Sequence, residues 1–540
     1  MHCSILASLA VRLTAILGMV VNWTHVSAAD RPQWGEAWSR NQVSAERGLP
    51  ATFDGASGKN VRWSAALGTE SHSTPVVAGG RVYVGTNNGE PRDPKRVGDR
   101  GVLLCLDERD GALHWQLVVP KRYEDPFFDW PGAGLCSSPT VADGRVYVVD
   151  NRGMVLCLDA EGLANGNDGP FVDEAAYYTP AGGSGPPRPP VEGADVRPEP
   201  GFQKPETAPD ALGPLDADIV WMFDLVGAAG CWPHDSAHSS ILIHGNHLYL
   251  NTSTGVDNTH RRNRAPDAPA LVVLDKTTGR YLARESEGIA RATFHCNWSA
   301  PAATTVGGEE VVLFIGGDGR LYGFAPLAAT DKGEREGSGD GKPVSLKRVF
   351  RYDFDRDAPT DDIHTYVQNR REGPSNHYGM PVPVGESVYL AGGGDIFWGK
   401  SDAWVKRVDL VRRGAEIEPI ERWAAPLNQH TLCTPTVADG LVFAADTART
   451  VHCLDAETGR TLWSHDCRGA FWASAFVADG KVFIGSRSGD FWVFRAAREK
   501  EVLFETKLPD KLSATAVAAN GVLYLTTMNR LYAVAETKDP

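Results

Sequence analysis

The sequence predicts an all-β fold, an eight-bladed β-propeller of four-stranded antiparallel blades, with the ring closed by an N-terminal strand at Trp63. Three observations predict it. A phrase of small residues, an apolar pair, a two-residue turn and a β-rich strand recurs eight times along the 540 residues. Each phrase leads to a third strand ending in Leu-Asp or its equivalent and, in copies one to seven, to a fourth strand with a large apolar anchor. The chain also ends one anchor short, while Val61-Arg62-Trp63 near its start has no blade before it.

The phrase opens as Ser73-Thr74-Pro75-Val76-Val77-Ala78-Gly79-Gly80 and again as Ser138-Pro139-Thr140-Val141-Ala142-Asp143-Gly144. It returns at Pro435, Ala475 and Ala516 with Asp439-Gly440, Asp479-Gly480 and Asn520-Gly521, and more weakly near Ser240, Pro301 and Pro381. Asp-Gly and Asn-Gly between apolar residues signal a hairpin whose two central residues take positive φ. The fourth-strand anchors are Trp115, Trp221, Leu282, Phe350, Trp423, Trp463 and Phe504, and Trp63 supplies the eighth. A closed ring leaves no open sheet edge. The last copies start at 435, 475 and 516, the spacing of a bare four-stranded blade, so earlier copies carry insertions.

Asn87 to Arg100, Lys121 to Gly134, Ser253 to Pro269, Phe354 to Pro374 and Gly392 to Asp402 are expected on one face. Ala160 to Asp218 and Ala325 to Pro343 are expected on the other. Residues 180–209 hold nine prolines and read first as an extended or disordered solvated loop, with a spacer or a partner-binding arm as the alternatives.

Lys and Arg total 54 against 68 Asp and Glu, a net charge of −14, which disfavours sequence-independent nucleic-acid binding. Residues 1–29 read as a signal peptide, with the apolar run Leu13 to Val21 and the small residues Ser27-Ala28-Ala29; the run is too short to span a bilayer. The expected organisation is therefore 1–29 signal peptide, 30–59 lead-in, 60–535 propeller with insertion 160–218, and 536–540 tail. The product is expected to be exported, to the periplasm or outside the cell, and monomeric. Eight cysteines remain beyond Cys3, with no C-x-x-C and no haem-attachment motif; their spacing specifies no disulfide. Cys105, Cys157 and Cys453 each precede Leu-Asp, where a small buried side chain suits the position.

Joined to Ser-Pro-x-Val-x-x-Gly-x-Val-Tyr-Val, the phrase Leu-Asp-x-x-Thr-Gly-x-x-x-Trp resembles the PQQ-type β-propeller repeat, over about residues 60–535. Quinoprotein alcohol dehydrogenases and the non-enzymatic propeller of the outer-membrane protein assembly machinery share that repeat. Asp129-Trp130-Pro131-Gly132 and Asn165-Gly166-Asn167-Asp168-Gly169 look similar to stretches of exported PQQ-like proteins of planctomycete-type bacteria. For the dehydrogenases the resemblance implies a quinone on a tryptophan floor beneath a disulfide of adjacent cysteines, with calcium held by carboxylate and amide oxygens. No two cysteines are adjacent here, and a calcium set is not placed. PQQ with calcium thus remains an implication of the resemblance, and no cofactor or metal ligand is assigned.

Residues just before each inner strand fall at the mouth of the central channel. They provide the candidate ligand-binding set His72, His234, His238, His295, Asn297, Trp298, Asn376, His377, His430 and Trp472. Six of the fifteen histidines share this recurrent position, where a side chain either faces a ligand or caps the inner strand against the next blade. Arg92, Lys95, Arg96, Arg100, Arg261, Arg262 and Arg264 form a basic rim that reads first as solvated loop and, beside aromatic residues, as suited to an anionic or saccharide ligand. The oxygen-rich Asn165 to Gly169 lacks the terminal glutamate of a calcium loop and reads as a tight turn.

The expected function is that of a binding or scaffold module acting through the channel mouth, with no catalytic residue assigned. A PQQ-dependent alcohol or sugar oxidoreductase and an assembly-factor-like scaffold are the alternatives. Expected partners are a small molecule, a saccharide, or an extended peptide or protein, without nucleic acid and without a transmembrane segment.

Overall fold

A computed structural model describes residues 29–122, 126–180, 209, 211–328 and 342–536. The signal segment, nearly all of the proline-rich stretch 180–209, much of the insertion 325–343 and the tail 537–540 lie outside the described residues. Eight sheets form the ring. Blade 1 comprises Val76–Ala78, Arg81–Asn87, Arg100–Asp107 and Leu113–Pro120, and blade 2 Thr140–Ala142, Arg145–Val149, Met154–Asp159 and Ile219–Asp224. Blades 3 to 7 begin at Leu242–His244, Ala302–Val306, Val382–Val384, Thr436–Ala438 and Phe476–Ala478. In blade 8, Val517–Ala519, Val522–Thr526 and Arg530–Val534 are completed by Val61–Ala66, with Trp63 opposite Ala533. No helix among the described residues is long and apolar enough to cross a membrane.

The inner hairpins have the turn chemistry that the dipeptides predict. Asp143, Asp439, Asp479 and Asn520 have φ of 53°, 49°, 53° and 53°, and the glycine after each is also positive. This mirror-image turn matches the twist of the paired strands.

Every fourth strand carries a one-residue register shift just before its anchor, as at Cys453↔Trp463 followed by Leu454↔Thr461. Such a bulge bends the strand and re-aims the next side chain. The indole N–H of Trp63, Trp115, Trp423 and Trp463 then donates to the carbonyl of Glu108, Ala160, Ala456 and Ala497 of the following blade, at 2.9 to 3.2 Å. Gly111, Gly162, Gly279 and Gly459, all at positive φ, lie against the rings of Trp63, Trp115, Trp221 and Trp423, where a Cβ would approach within 2.4 to 2.7 Å. The turn glycine of the repeat is thus the seat for its neighbour's tryptophan. Blade 3 departs from expectation: Ala283, not Leu282, holds the anchor register, because Leu282 falls in the bulge. That edge is covered instead by Val344–Ser345, paired parallel to Ala283 and Arg284.

A second tie runs around the channel. The backbone N–H groups of Met380, Thr434, Ser474, Thr515 and Thr74 donate to the hydroxyls of Thr434, Ser474, Thr515, Thr74 and Ser138, at 2.9 to 3.1 Å. These are equivalent positions of successive blades, so the small hydroxyl residue before each inner strand stitches blade 5 through blades 6, 7, 8 and 1 to blade 2. Blade 4 has Ala300 at that position, and the Ser240 hydroxyl of blade 3 accepts from Arg40 instead.

The lead-in closes the channel at its hairpin-turn end. Arg31 pairs with Val77, Pro32 O accepts from Val141 N, Trp38 O accepts from Ala303 N, Asn41 bonds both backbone groups of Val437, and Val43–Ser44 pairs with Val477 and Ala478. Fully buried Arg40 donates to the carbonyls of Pro301 and Ser240, and burial without a carboxylate partner lowers its pKa to about 9. The excursion after Ala160 does not stay on the hairpin-turn face. Glu174–Tyr178 packs against the outer strand of blade 1, and Asp216 pairs bidentately with Arg96 on the mouth side.

A cavity at the open end of the channel

Opposite the plug, insertions from blades 1, 3, 4 and 5 lean over the open end and enclose a cavity of about 770 Å³. Trp34 of the lead-in contributes to its wall, as do Ser138, Thr434, Ser474 and Thr515 of the inner-strand entries. Phe127, Trp130, His260, Arg370, Phe397 and Trp398 enter from the insertions. The volume lies in the range of small-molecule sites, and the surface is dominated by aromatic rings with hydroxyls and few charges between them.

The ten candidate residues divide into three groups. His72, His238, Trp298 and Trp472 line the cavity. His72 Nε2 lies 2.9 Å from Glu70 Oε1, a contact that is the main reason the Glu70 pKa falls, and its ring stacks on Trp472. The Trp298 indole donates to His234 O, and its ring centroid is 4.5 Å from that of His238. Burial pushes the His238 pKa down to about 3.

His234 and His295 form the second group, directly behind the wall, and meet His260 and Asp235 there. Their rings contact one another, with His234–His260 and His234–His295 centroids 4.9 Å apart. His295 Nδ1 is 3.0 Å from Asp395 Oδ2 and 2.9 Å from Tyr378 Oη, and Tyr378 donates a short hydrogen bond to the same carboxylate. Burial penalises the His295 cation, but the Asp395 and Asp235 carboxylates outweigh it and raise the pKa. Burial lowers the His234 pKa far below the usual value, assisted by His295, and lowers that of His260 to about 3.

The remaining four hold the framework. Asn297 bridges Thr254 O, Thr293 Oγ1 and Gly317 N, while Asn376 Oδ1 accepts from His295 N. His377 packs edge-on against Phe354 beneath Gly392, and His430 is buried outside the cavity wall. For these four the geometry is that of strand-entry and blade packing.

The basic rim is mostly consumed internally. Arg96 pairs with Asp216, Arg262 with Asp257, Arg100 donates to Tyr178 O, and Arg264 lies over the Trp232 ring. The turn after Asn165 folds on its own acids: Asp218 Oδ2 accepts from Asp168 N, and Arg145 pairs with Asp159. All eight cysteines described are free and buried.

The fold and cavity define a plugged eight-bladed propeller with an aromatic axial pocket. Residues 39–118, 96–165, 393–498 and 447–539 match the family model described as outer membrane protein assembly factor BamB, together just over half of the sequence. The chain belongs to this family of PQQ-like propellers. A search of curated proteins finds no match. Among solved structures, the fold is similar to a europium-containing methanol dehydrogenase, with a TM-score of 0.52 and 11% identity over 93% of this chain and 97% of that one. BamB from Moraxella catarrhalis gives 0.49 and 12% over 88% and 97%, and a quinohemoprotein alcohol dehydrogenase from Comamonas testosteroni 0.43 and 15% over 95% and 82%. At these identities the likeness shows the propeller fold alone.

The residues around the cavity do not fit the calcium–quinone arrangement that the resemblance implies. Among the described residues its carboxylates are Glu70, held by His72, and Asp235, set against histidines, Arg370 is its one arginine, and no adjacent cysteine pair lies over it.

Proposed function

We propose that the protein is an exported binding module that takes a small organic ligand with flat faces and hydroxyl edges, of the saccharide class, into the axial cavity. One observation carries this reading: a cavity of about 770 Å³ whose far end is sealed by the chain's own lead-in and whose wall presents Trp34, Trp298, Trp398 and Trp472 beside serine and threonine hydroxyls. Aromatic rings stack on the apolar faces of such a ligand, and the interleaved hydroxyls bond its edge. The family description supports a non-catalytic role and leaves room for a protein partner on the outer faces. Export rests on the N-terminal segment, which a protease-protection assay of fractionated cells checks directly.

The test is titration of the purified protein with an oligosaccharide panel, read by tryptophan fluorescence and thermal shift. At least one member is expected to quench fluorescence and raise the melting temperature, and Trp472→Ala is expected to weaken that response about tenfold or more, the loss of one stacking contact of roughly 1.5 kcal/mol. A panel without any response, or a response that Trp472→Ala leaves intact, refutes the reading.

A further inference from the structure

Four side chains from three separated segments converge behind one part of the cavity wall. His234 and Asp235 precede the inner strand of blade 3, His260 lies on the insertion of the same blade, and His295 precedes the inner strand of blade 4. All three histidines are at least 96% buried. One nitrogen from each lies within 4.8 Å of the others. His234 Nε2 is 3.2 Å from His260 Nε2 and 3.6 Å from Asp235 Oδ2, and His295 Nε2 is 3.8 Å from Asp235 Oδ2. Tetrahedral donors at zinc bond lengths stand about 3.4 Å apart, close to these three separations.

The tautomers point the same way. His234 Nδ1 faces Val256 O at 2.9 Å, and a carbonyl only accepts, so Nδ1 carries the proton and Nε2 offers a lone pair. His295 Nδ1 faces the Asp395 carboxylate, which leaves its Nε2 turned to the centre of the cluster without a hydrogen-bond partner. Asp235 Oδ1 is likewise buried and without a partner. A carbonyl and a carboxylate behind ligating histidines are the usual orienting partners of a metal site. Asp395 is itself fixed by the backbone N–H groups of Phe397 and Trp398, and Trp398 stacks on His260 at 4.1 Å. Asp235 and His260 both hold left-handed backbone, at φ 56° and 57°, a conformation that costs a non-glycine residue energy and is kept where surrounding contacts demand it.

We propose that His234, His260, His295 and Asp235 bind one divalent transition-metal ion of the zinc class, with Asp395 as the residue that positions His295. Three imidazoles and one carboxylate suit zinc or copper rather than calcium or magnesium. Because Asp235 and His260 also line the cavity, the ion faces the ligand space, where a hydroxyl oxygen of a bound molecule reaches it. This inference goes beyond the saccharide reading and is tested without any organic ligand.

The experiment uses the full purified chain, stripped with a chelator and titrated calorimetrically with Zn²⁺ alone. One ion per chain is expected, and Co²⁺ is expected to give the visible absorption of a four-coordinate site that Zn²⁺ abolishes. His260→Ala should weaken Zn²⁺ binding by at least about 100-fold, and Asp395→Asn by about 10- to 100-fold. Unfolding midpoints of the stripped variants separate lost ligation from lost folding; if His260→Ala does not fold, His295→Gln and the Co²⁺ spectrum of the unaltered chain decide. A folded chain that takes up no stoichiometric Zn²⁺ overturns the proposal. So does binding that survives His260→Ala but disappears in Asp168→Asn, which would place the ion at the Asp159, Asp168 and Asp218 carboxylates.

Discussion

Blades 6, 7 and 8 and blades 3, 4 and 5 are built from one repeat but differ where they meet the channel. In the first sector each inner strand is entered through Thr434, Ser474 or Thr515, whose hydroxyl accepts from the preceding blade. In the second, Ala300 and Met380 replace the hydroxyl residue and Ser240 is taken by Arg40. The insertions of that second sector bring His260, Phe397 and Trp398 over the opening. Blades 6 to 8 thus combine the ring ties with wall residues such as Trp472, whereas the second sector gives up the ties and covers the opening with its insertions.

Substitutions in framework and mouth should differ in their effects. The largest effect is expected from deleting residues 30–66, which removes both plug and closing strand: cooperative unfolding should disappear, and a truncated chain melting at the unchanged temperature would refute closure at Trp63. Trp115→Ala, in the framework, should lose about 3–5 kcal/mol in denaturant unfolding, because a fully buried ring and its bond to Ala160 both go.

A smaller, pH-dependent effect is expected at Asp318, under the second sector. Its carboxyl is buried against Tyr322 and its pKa is raised to about 6, desolvation being the larger cause. A raised acid pKa means that the folded state holds the proton more tightly than the unfolded chain. The stabilisation is therefore complete below about pH 4 and is lost as pH rises through about 6. Measured from pH 4 to 7.5, the stability advantage of the natural chain over Asp318→Asn should shrink by roughly 2–3 kcal/mol; a pH-independent difference would show that the carboxyl titrates normally. The smallest stability change belongs to Trp472→Ala at the cavity wall, within about 1 kcal/mol of the natural chain, since the ring is only partly buried. A loss as large as that of Trp115→Ala would erase the distinction between framework and mouth.

Much of the ring was legible in the sequence. Asp-Gly and Asn-Gly marked inner hairpins whose positive φ values follow directly from those residues, and the tryptophans marked the anchor positions. Leu282 was misplaced because a one-residue bulge shifts the register by a step that apolar pattern alone does not reveal. At the mouth, the entry positions place His72, His238, Trp298 and Trp472 on the wall and His234 and His295 behind it, while His377 lies against Phe354 and His430 outside the wall. His260 and Asp395 lie outside the entry positions. Both lie in insertions outside the repeat, where no recurrent spacing marks them, and His260 stands beside the basic pair Arg261-Arg262.

Turn residues set the hairpins and strand periodicity set the blades, because each depends on residues close together in the chain; the closure was legible because the repeat leaves one anchor strand, at Trp63, to complete the last blade. The cavity and its histidine cluster were decided only by the tertiary structure. Closing the ring brings residues 34, 235, 260, 295 and 395 into one space, and folded insertions aim their side chains there through hydrogen bonds to distant blades. No spacing along the chain encodes a distance that closure of the whole ring creates.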